Sequence, residues 1–247
     1  MIQVIVMTSD NQQDKVLPAF WHQWEKYFNG IYHIRMTCGF TEQVDLNSHF
    51  YSIGNYSDYP ANKWSDALIK VLDNVADEVF ILMLDDYWLS RPVDIMAIQM
   101  IYDYMRQFKN VLKFDLTDER LYSDTPPGDG YNRFYWGYNT YNTLGYLDLI
   151  KSNPNGLYHL SLWGGMWRRD LLKQLLVPGE RAQEIEMYGG NRLLKHSEWL
   201  VLGTRQAPMR HANVIQRGEW SDNDRVGLPG MKESDLDELR KLGYLSE

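Results

Sequence analysis

Val79-Phe80-Ile81-Leu82-Met83-Leu84-Asp85-Asp86-Tyr87-Trp88-Leu89 is the stretch on which the fold turns. Six apolar residues in an unbroken run have the length and composition of a strand buried on both faces. Such strands belong to parallel sheets covered by helices, whose ligands collect outside the carboxyl ends of the strands. Asp85 and Asp86 stand at that end. Adjacent carboxylates beside an apolar strand repel each other unless something positive stabilises them. A hard divalent cation carrying a diphosphate suits that place. The plain alternative is one capping Asp and one solvated Asp, and the pair by itself favours neither reading.

Outward from this strand, helices and strands alternate. Ile2–Met7 is short, apolar and β-branched, a second buried strand, and Thr8-Ser9-Asp10-Asn11 follows as a polar turn. Pro18 fits the first turn of a helix over Ala19–Phe28, with Phe20, Trp24 and Tyr27 on one face. Tyr32–Cys38 and Phe50–Ile53 read as strands. Trp64–Val75 is an amphipathic helix, Val93–Phe108 a helix and Val111–Phe114 a strand. Leu116–Tyr141 reads as a long polar and aromatic loop with a turn at Pro126-Pro127-Gly128. Beyond it the spacing predicts strands at Tyr158–Leu162 and Trp199–Gly203 and helices at Arg169–Leu176 and Ala182–Tyr188. A last helix covers Asp235–Leu242, capped by Ser234 and stopped by Gly243. This order gives an α/β fold, with a largely parallel central sheet, helices on both faces and antiparallel strands in the second half.

The totals bound the function. The chain has 247 residues, 44% hydrophobic and 23% charged, so a large core is within reach. No apolar run is long enough to span a bilayer, and the start has no basic leader or cleavage site, so the expectation is a cytoplasmic protein without a membrane partner. Cys38 is the single cysteine, which excludes an internal disulfide and a cysteine-based zinc site. A net charge of −8 weighs against an extended basic surface for nucleic acid. Nine Trp and seventeen Tyr make an unusually aromatic chain; aromatics first mean core, and in surface clefts they also stack on sugars and bases.

Three segments together resemble the nucleotide-sugar-dependent glycosyltransferases of the GT-A fold: Val4-Ile5-Val6-Met7-Thr8-Ser9-Asp10, then Asn62-Lys63-Trp64-Ser65-Asp66-Ala67-Leu68, then Phe80 through Leu89 with its acidic pair. The resemblance covers roughly residues 1–200. It implies a Rossmann-like GT-A domain spanning 1–247. Residues 1–115 would be the nucleotide-sugar-binding half, 116–230 a smaller antiparallel acceptor-side half and 231–247 a terminal helix. It implies a UDP-sugar donor bound by Thr8, Ser9, Asp10, Lys63, Trp64, Asp66 and Asp85, and a Mn2+ or Mg2+ ion on Asp86. The motif here is Asp-Asp-Tyr where the family has Asp-x-Asp, so Asp85 goes to the ribose or reaches the ion through water. His211 stands where many such enzymes close the metal shell. Arg210, in a cluster with Arg205, Arg217 and Arg225, is placed for the diphosphate.

Leu160-Ser161-Leu162-Trp163-Gly164-Gly165-Met166-Trp167-Arg168-Arg169-Asp170 resembles the acceptor-side segment of that family, a strand entering a glycine turn before a helix. Glu184 and Glu186 follow. In a helix they lie roughly 200° apart, so one of them faces the cleft. An inverting enzyme would use it as general base, a retaining one to stabilise the developing charge. Tyr131-Asn132-Arg133-Phe134-Tyr135-Trp136-Gly137-Tyr138-Asn139-Thr140-Tyr141 mixes aromatics with amides, suited to a sugar face or an extruded base, or equally to an edge strand that packs its aromatics. Compact phage-encoded GT-A proteins share the Trp-Ser-Asp-Ala-Leu, acidic-pair and Gly-x-Trp-x-Arg-Asp-Leu-Leu pattern. That likeness implies a DNA acceptor carrying 5-hydroxymethylated pyrimidines such as 5-hydroxymethylcytosine. A glycan acceptor and a non-catalytic nucleotide- or sugar-binding module are the alternatives. A nucleotidyltransferase ranks below them, because Thr8–Gln13 lacks the glycine-rich basic loop.

Overall fold

The computed structural model describes residues 2–9, 16–41, 48–117, 136–152, 159–216, 219–220 and 230–245. The first half contains β1 (Ile2–Met7), α1 (Val16–Tyr27), β2 (His33–Gly39), β3 (His49–Ser52), α2 (Trp64–Leu72), β4 (Val79–Leu84), β5 (Tyr87–Leu89), α3 (Ile95–Gln107) and β6 (Val111–Asp115). Two single 3-10 turns, Tyr56–Asp58 and Ala61–Lys63, precede α2. The second half contains β7 (Trp136–Leu144), β8 (Leu147–Ser152), β9 (Gly165–Arg168), α4 (Arg169–Leu175), α5 (Ala182–Leu193), β10 (Leu200–Thr204), β11 (His211–Asn213), β12 (Ile215–Gln216), β13 (Glu219–Trp220) and α6 (Glu233–Lys241).

Nine strands form one sheet in the order β3-β2-β1-β4-β9-β6-β10-β8-β7. β3, β2, β1 and β4 are parallel, and β10 is parallel to β6. β9 lies antiparallel between β4 and β6, and β8 lies antiparallel between β10 and β7. The architecture is therefore α/β with a large, mostly parallel central sheet, as the alternating apolar segments require. One face packs Val4, Val6, Ile81 and Met83 on α1, α3 and α6; the other packs Ile5, Phe80 and Leu82 on α2, α4 and α5. Among the described residues no helix is long and apolar enough to cross a membrane.

The buried strands keep the bounds that their apolar runs predict, at Ile2–Met7 and Val79–Leu84. Three other expectations are corrected. Residues 159–162 do not form a strand; the strand begins instead at Gly165, where a glycine turn was expected. Side chains replace the ladder in this segment: Lys113 Nζ donates to Ser161 O at 2.6 Å, and Leu162 N donates to Glu186 at 2.7 Å. The cap of α6 is Lys232, and Ser234 lies inside the helix. Asp235 is buried there, accepting from Tyr27 Oη and Lys26 Nζ, and this contact sets how α6 docks on α1. Within the expected loop over 116–141, β7 already begins at Trp136; residues 118–135 lie outside the described residues.

α5 also runs to Leu193, past the expected end at Tyr188, through Gly189-Gly190. Glycine inside a helix costs about 1 kcal/mol relative to alanine. Close packing accounts for one of the two: a Cβ on Gly189 would come 2.4 Å from Leu160 Cδ2, and Leu160 is fully buried. A Cβ on Gly190 would meet His159 Cβ at an ordinary 3.4 Å. Gly190→Ala should therefore raise the melting temperature. Gly189→Ala should lower it, because overpacking costs about 1–3 kcal/mol and outweighs the helix-propensity gain. Thermal melts of the two variants check this; a higher melting temperature for Gly189→Ala would contradict the packing.

Candidate nucleotide-binding cleft

The carboxyl ends of β1 and β4 converge on one carboxylate. Asp85 N donates to Met7 O at 3.2 Å, and Thr8 Oγ1 donates to Asp85 Oδ2 at 2.5 Å. Thr8 N in turn donates to Cys38 O at the end of β2 (3.0 Å). Trp88, fully buried, donates its indole N–H to Asp85 O at 3.1 Å. The main chain and one side-chain oxygen of Asp85 are thus fixed by three residues, Met7, Thr8 and Trp88. Burial pushes its carboxyl up to about 6, with the Thr8 hydroxyl and nearby backbone N–H groups opposing the shift.

Asp86 is less buried and turns the chain into β5. Its carbonyl accepts from Val214 N at 2.8 Å, and β5 pairs antiparallel with β11, His211 opposite Leu89 and Asn213 opposite Tyr87. In this register Val214 adjoins Asp86, and His211 lies opposite Leu89 with its ring edge-on to Tyr87, centroids 4.7 Å apart.

In front of the pair lies a cleft of about 310 Å³. Thr8, Ser9, Asp85 and Asp86 form its polar side. Phe40, Tyr56, Tyr59 and Trp64 line the other side together with Ile53 and Ala67. Phe40 meets Tyr56 edge-on, with centroids 5.3 Å apart, and lies 6.0 Å from Tyr59. The cleft thus joins an aromatic surface for a flat ring to two carboxylates. Small-molecule sites take this form, with apolar walls and a few convergent polar groups.

Five of the expected site residues therefore line one cleft: Thr8, Ser9, Trp64, Asp85 and Asp86. Asp10 lies outside the described residues, as do Arg217 and Arg225. Lys63 and Asp66 border a separate depression with Lys70 and Asp73. The Asp66 carboxylate accepts from Gly179 N at 2.7 Å and ties the turn before α5 to the start of α2. Glu184 accepts from Arg181 N at 2.8 Å and caps its own helix. Glu186, on the other side of α5, reaches Leu162 N. Leu162 lies three residues before Gly165, the partner of Leu82, so Glu186 is tied to the segment that enters β9. Arg210 is exposed, its carbonyl accepting from Ser90 N, and Arg205 is half-buried where β10 meets β8. Among the described residues no group of three or more His, Cys, Asp or Glu side chains is arranged to hold a metal ion.

Apart from Trp64, the aromatic wall was not singled out in the sequence. Tyr56-Ser57-Asp58-Tyr59-Pro60 carries a signal, two tyrosines flanking a turn just before a helix, but its tie to Phe40 depends on β2 and β3 ending side by side.

Solved structures share this fold. S. aureus TarS residues 1–349 in complex with UDP aligns with a TM-score of 0.51 and 10% identity, over 85% of this chain and 59% of that one. The same protein in complex with UDP-GlcNAc aligns at 0.50 and 13%, over 92% and 62%. The chain thus spans about three fifths of those TarS chains. A CMP:2-keto-3-deoxy-manno-octonic acid synthetase complexed with CTP aligns over 98% of both chains, at 13% identity and a TM-score of 0.48. No family model matches the chain, and no curated protein matches its sequence. At these identities the likeness establishes the fold, a mixed α/β architecture shared with proteins solved with nucleotides.

The raised Asp85 carboxyl has a thermodynamic consequence. Folding favours its neutral form, so its contribution to stability is fully present below about pH 4 and is lost as pH rises through about 6. Asp85→Asn, which keeps an oxygen for Thr8, should stabilise chelator-treated protein at pH 8 by up to about 3 kcal/mol. The gain should vanish near pH 4. Denaturant unfolding at the two pH values checks this; a destabilised variant at pH 8 would contradict the burial.

Proposed function

We propose that this chain is a glycosyltransferase that moves a sugar from a UDP-sugar to an acceptor hydroxyl. The observation that carries the reading is the cleft itself, where Asp85 and Asp86 face Phe40, Tyr56, Tyr59 and Trp64 at the carboxyl ends of a parallel sheet. The aromatic side suits a nucleobase, which stacks on any of these rings, and Thr8 and Ser9 offer hydroxyls to the ribose and phosphates. Structures solved with UDP and with UDP-GlcNAc share the fold, which supports the choice of donor.

Asp86 and His211 fit a Mn2+ or Mg2+ ion in kind: a carboxylate and an imidazole on adjacent backbone segments, with the remaining positions left to diphosphate oxygens and water. When bound, such an ion neutralises the charge that develops on the departing UDP. Asp85, buried and anchored to Thr8, orients the turn and offers an acceptor oxygen to a ribose hydroxyl. Arg210 supplies a cation for the diphosphate. Glu186 is the carboxylate assigned to the acceptor or the reacting carbon; Glu184 serves its own helix cap, and Glu186 is oriented by Leu162 N. For the acceptor, the resemblance to phage proteins supports a 5-hydroxymethylated pyrimidine in DNA, and the net charge of −8 supports a glycan.

Incubation with a panel of UDP-sugars and Mn2+, with either hydroxymethylcytosine-containing DNA or polysaccharide, tests both levels. UDP release together with a mass shift in one acceptor is expected. Asp86→Ala should cut turnover by about 10²–10³-fold, the scale of losing a group that stabilises transition-state charge, without changing the melting temperature. UDP binding without release from any sugar would favour a binding module. Wild-type turnover in Asp86→Ala would remove that residue from the site.

A further inference from the structure

Lys113 sits in the middle of β6, in the run Val111-Leu112-Lys113-Phe114-Asp115, and its side chain is completely buried. A buried ammonium is costly unless it is paired and hydrogen-bonded. Lys113 has both kinds of partner. It forms an ion pair with Asp115, two residues along the same strand and so on the same face, with the Asp115 side chain only 5% exposed. It also donates to Ser161 O at 2.6 Å, and its Nζ lies 4.8 Å from the centre of the Trp167 ring.

The ammonium thus acts on the backbone of the segment that enters β9. That segment is held at four further points. Leu162 N donates to Glu186; His159 Nδ1 and Ser152 Oγ are 2.7 Å apart; Leu160 packs on Gly189; and Gly164 fits over Met83, where a Cβ would come 2.8 Å from the sulfur. Gly165 is glycine for the same reason, because a Cβ there would come 2.6 Å from Lys113 Cε and 3.3 Å from Phe114 O. The result is a multiply anchored wall over 161–165, packed between Met83 and Lys113 and joined to Glu186.

We propose that Lys113, neutralised by Asp115, is a positioning residue that holds the 161–165 wall, and through it Glu186, in register with the acidic pair for sugar transfer. This rests on the glycosyltransferase reading above. It assigns the buried pair to the transfer step and not to donor binding, since the aromatic side of the cleft is built from β2, the 3-10 turns and α2, which the pair does not touch.

Lys113→Met/Asp115→Leu removes both charges and keeps the volume, an exchange that buried ion pairs commonly tolerate without loss of stability. Calorimetry with UDP and Mn2+, and UDP release from the UDP-sugar that the wild type consumes fastest, are measured on both proteins, with the melting temperature as control. UDP affinity should stay within about twofold, while turnover falls about tenfold to a hundredfold, the scale of a misplaced catalytic group. Lys113→Met alone leaves Asp115 buried without its cation and should lower the melting temperature as well. Equal turnover and affinity in the double variant and the wild type would overturn the positioning role and leave the transferase reading standing. Equal losses in affinity and turnover would overturn it too, by showing a general structural role. A wild type that releases no UDP from any sugar contradicts the transferase reading and takes this proposal with it.

Discussion

The burial of one carboxylate at the end of one strand organises this protein. Asp85 is 6% exposed, and its carboxyl is pushed up to about 6. A buried carboxylate without compensation would cost several kcal/mol. The compensation comes from the Thr8 hydroxyl, while the Trp88 indole and the Met7 carbonyl fix the main chain on either side. Those partners belong to β1, the residue that follows it and β5, so satisfying Asp85 also ties the end of β1 to β5. Asp86 lines the cleft beside it, with its main chain held by Val214.

A second constraint acts across the sheet. β9 is squeezed between β4 and β6, and the space around its start is filled by Met83 on one side and Lys113 on the other. Gly164-Gly165 leave room for these side chains. Sequence alone placed these glycines in a turn before a helix; the structure gives them a packing duty. The same segment exchanges ladder hydrogen bonds for side-chain ones, to Lys113 and Glu186, and is held in place without being a strand. Rigid, over-determined backbone of this kind suits a site that must hold two substrates in register.

The parts of the fold legible in the sequence are those whose signal is local. β1 and β4 are apolar runs, buried on both faces, and their bounds follow directly. α2 shows its apolar stripe, and the acidic pair follows from its place after β4. Features made by distant pairing were not legible. β5 and β11 are three residues each, and nothing in His211-Ala212-Asn213 marks a strand until Tyr87–Leu89 lies beside it. The same limit explains Asp66, whose position at a helix start serves a ligand or the Gly179 amide equally well. Lys113 did leave a trace: a lysine and an aspartate two apart inside an apolar strand imply a buried pair. Glu184 and Glu186 were separable only once the capping geometry of α5 and the path of residues 159–164 were known.

The central claim is that a nucleotide-sugar is held between the aromatic wall and the acidic pair, with a divalent ion on Asp86. A crystal structure of the chain with UDP and Mn2+, phased to give a manganese anomalous-difference map, tests it most directly. The account predicts uracil against Phe40, Tyr56, Tyr59 and Trp64, with one anomalous peak at coordination distance from an Asp86 oxygen and the diphosphate. A nucleotide bound outside this cleft, or a manganese peak remote from Asp86, would contradict it.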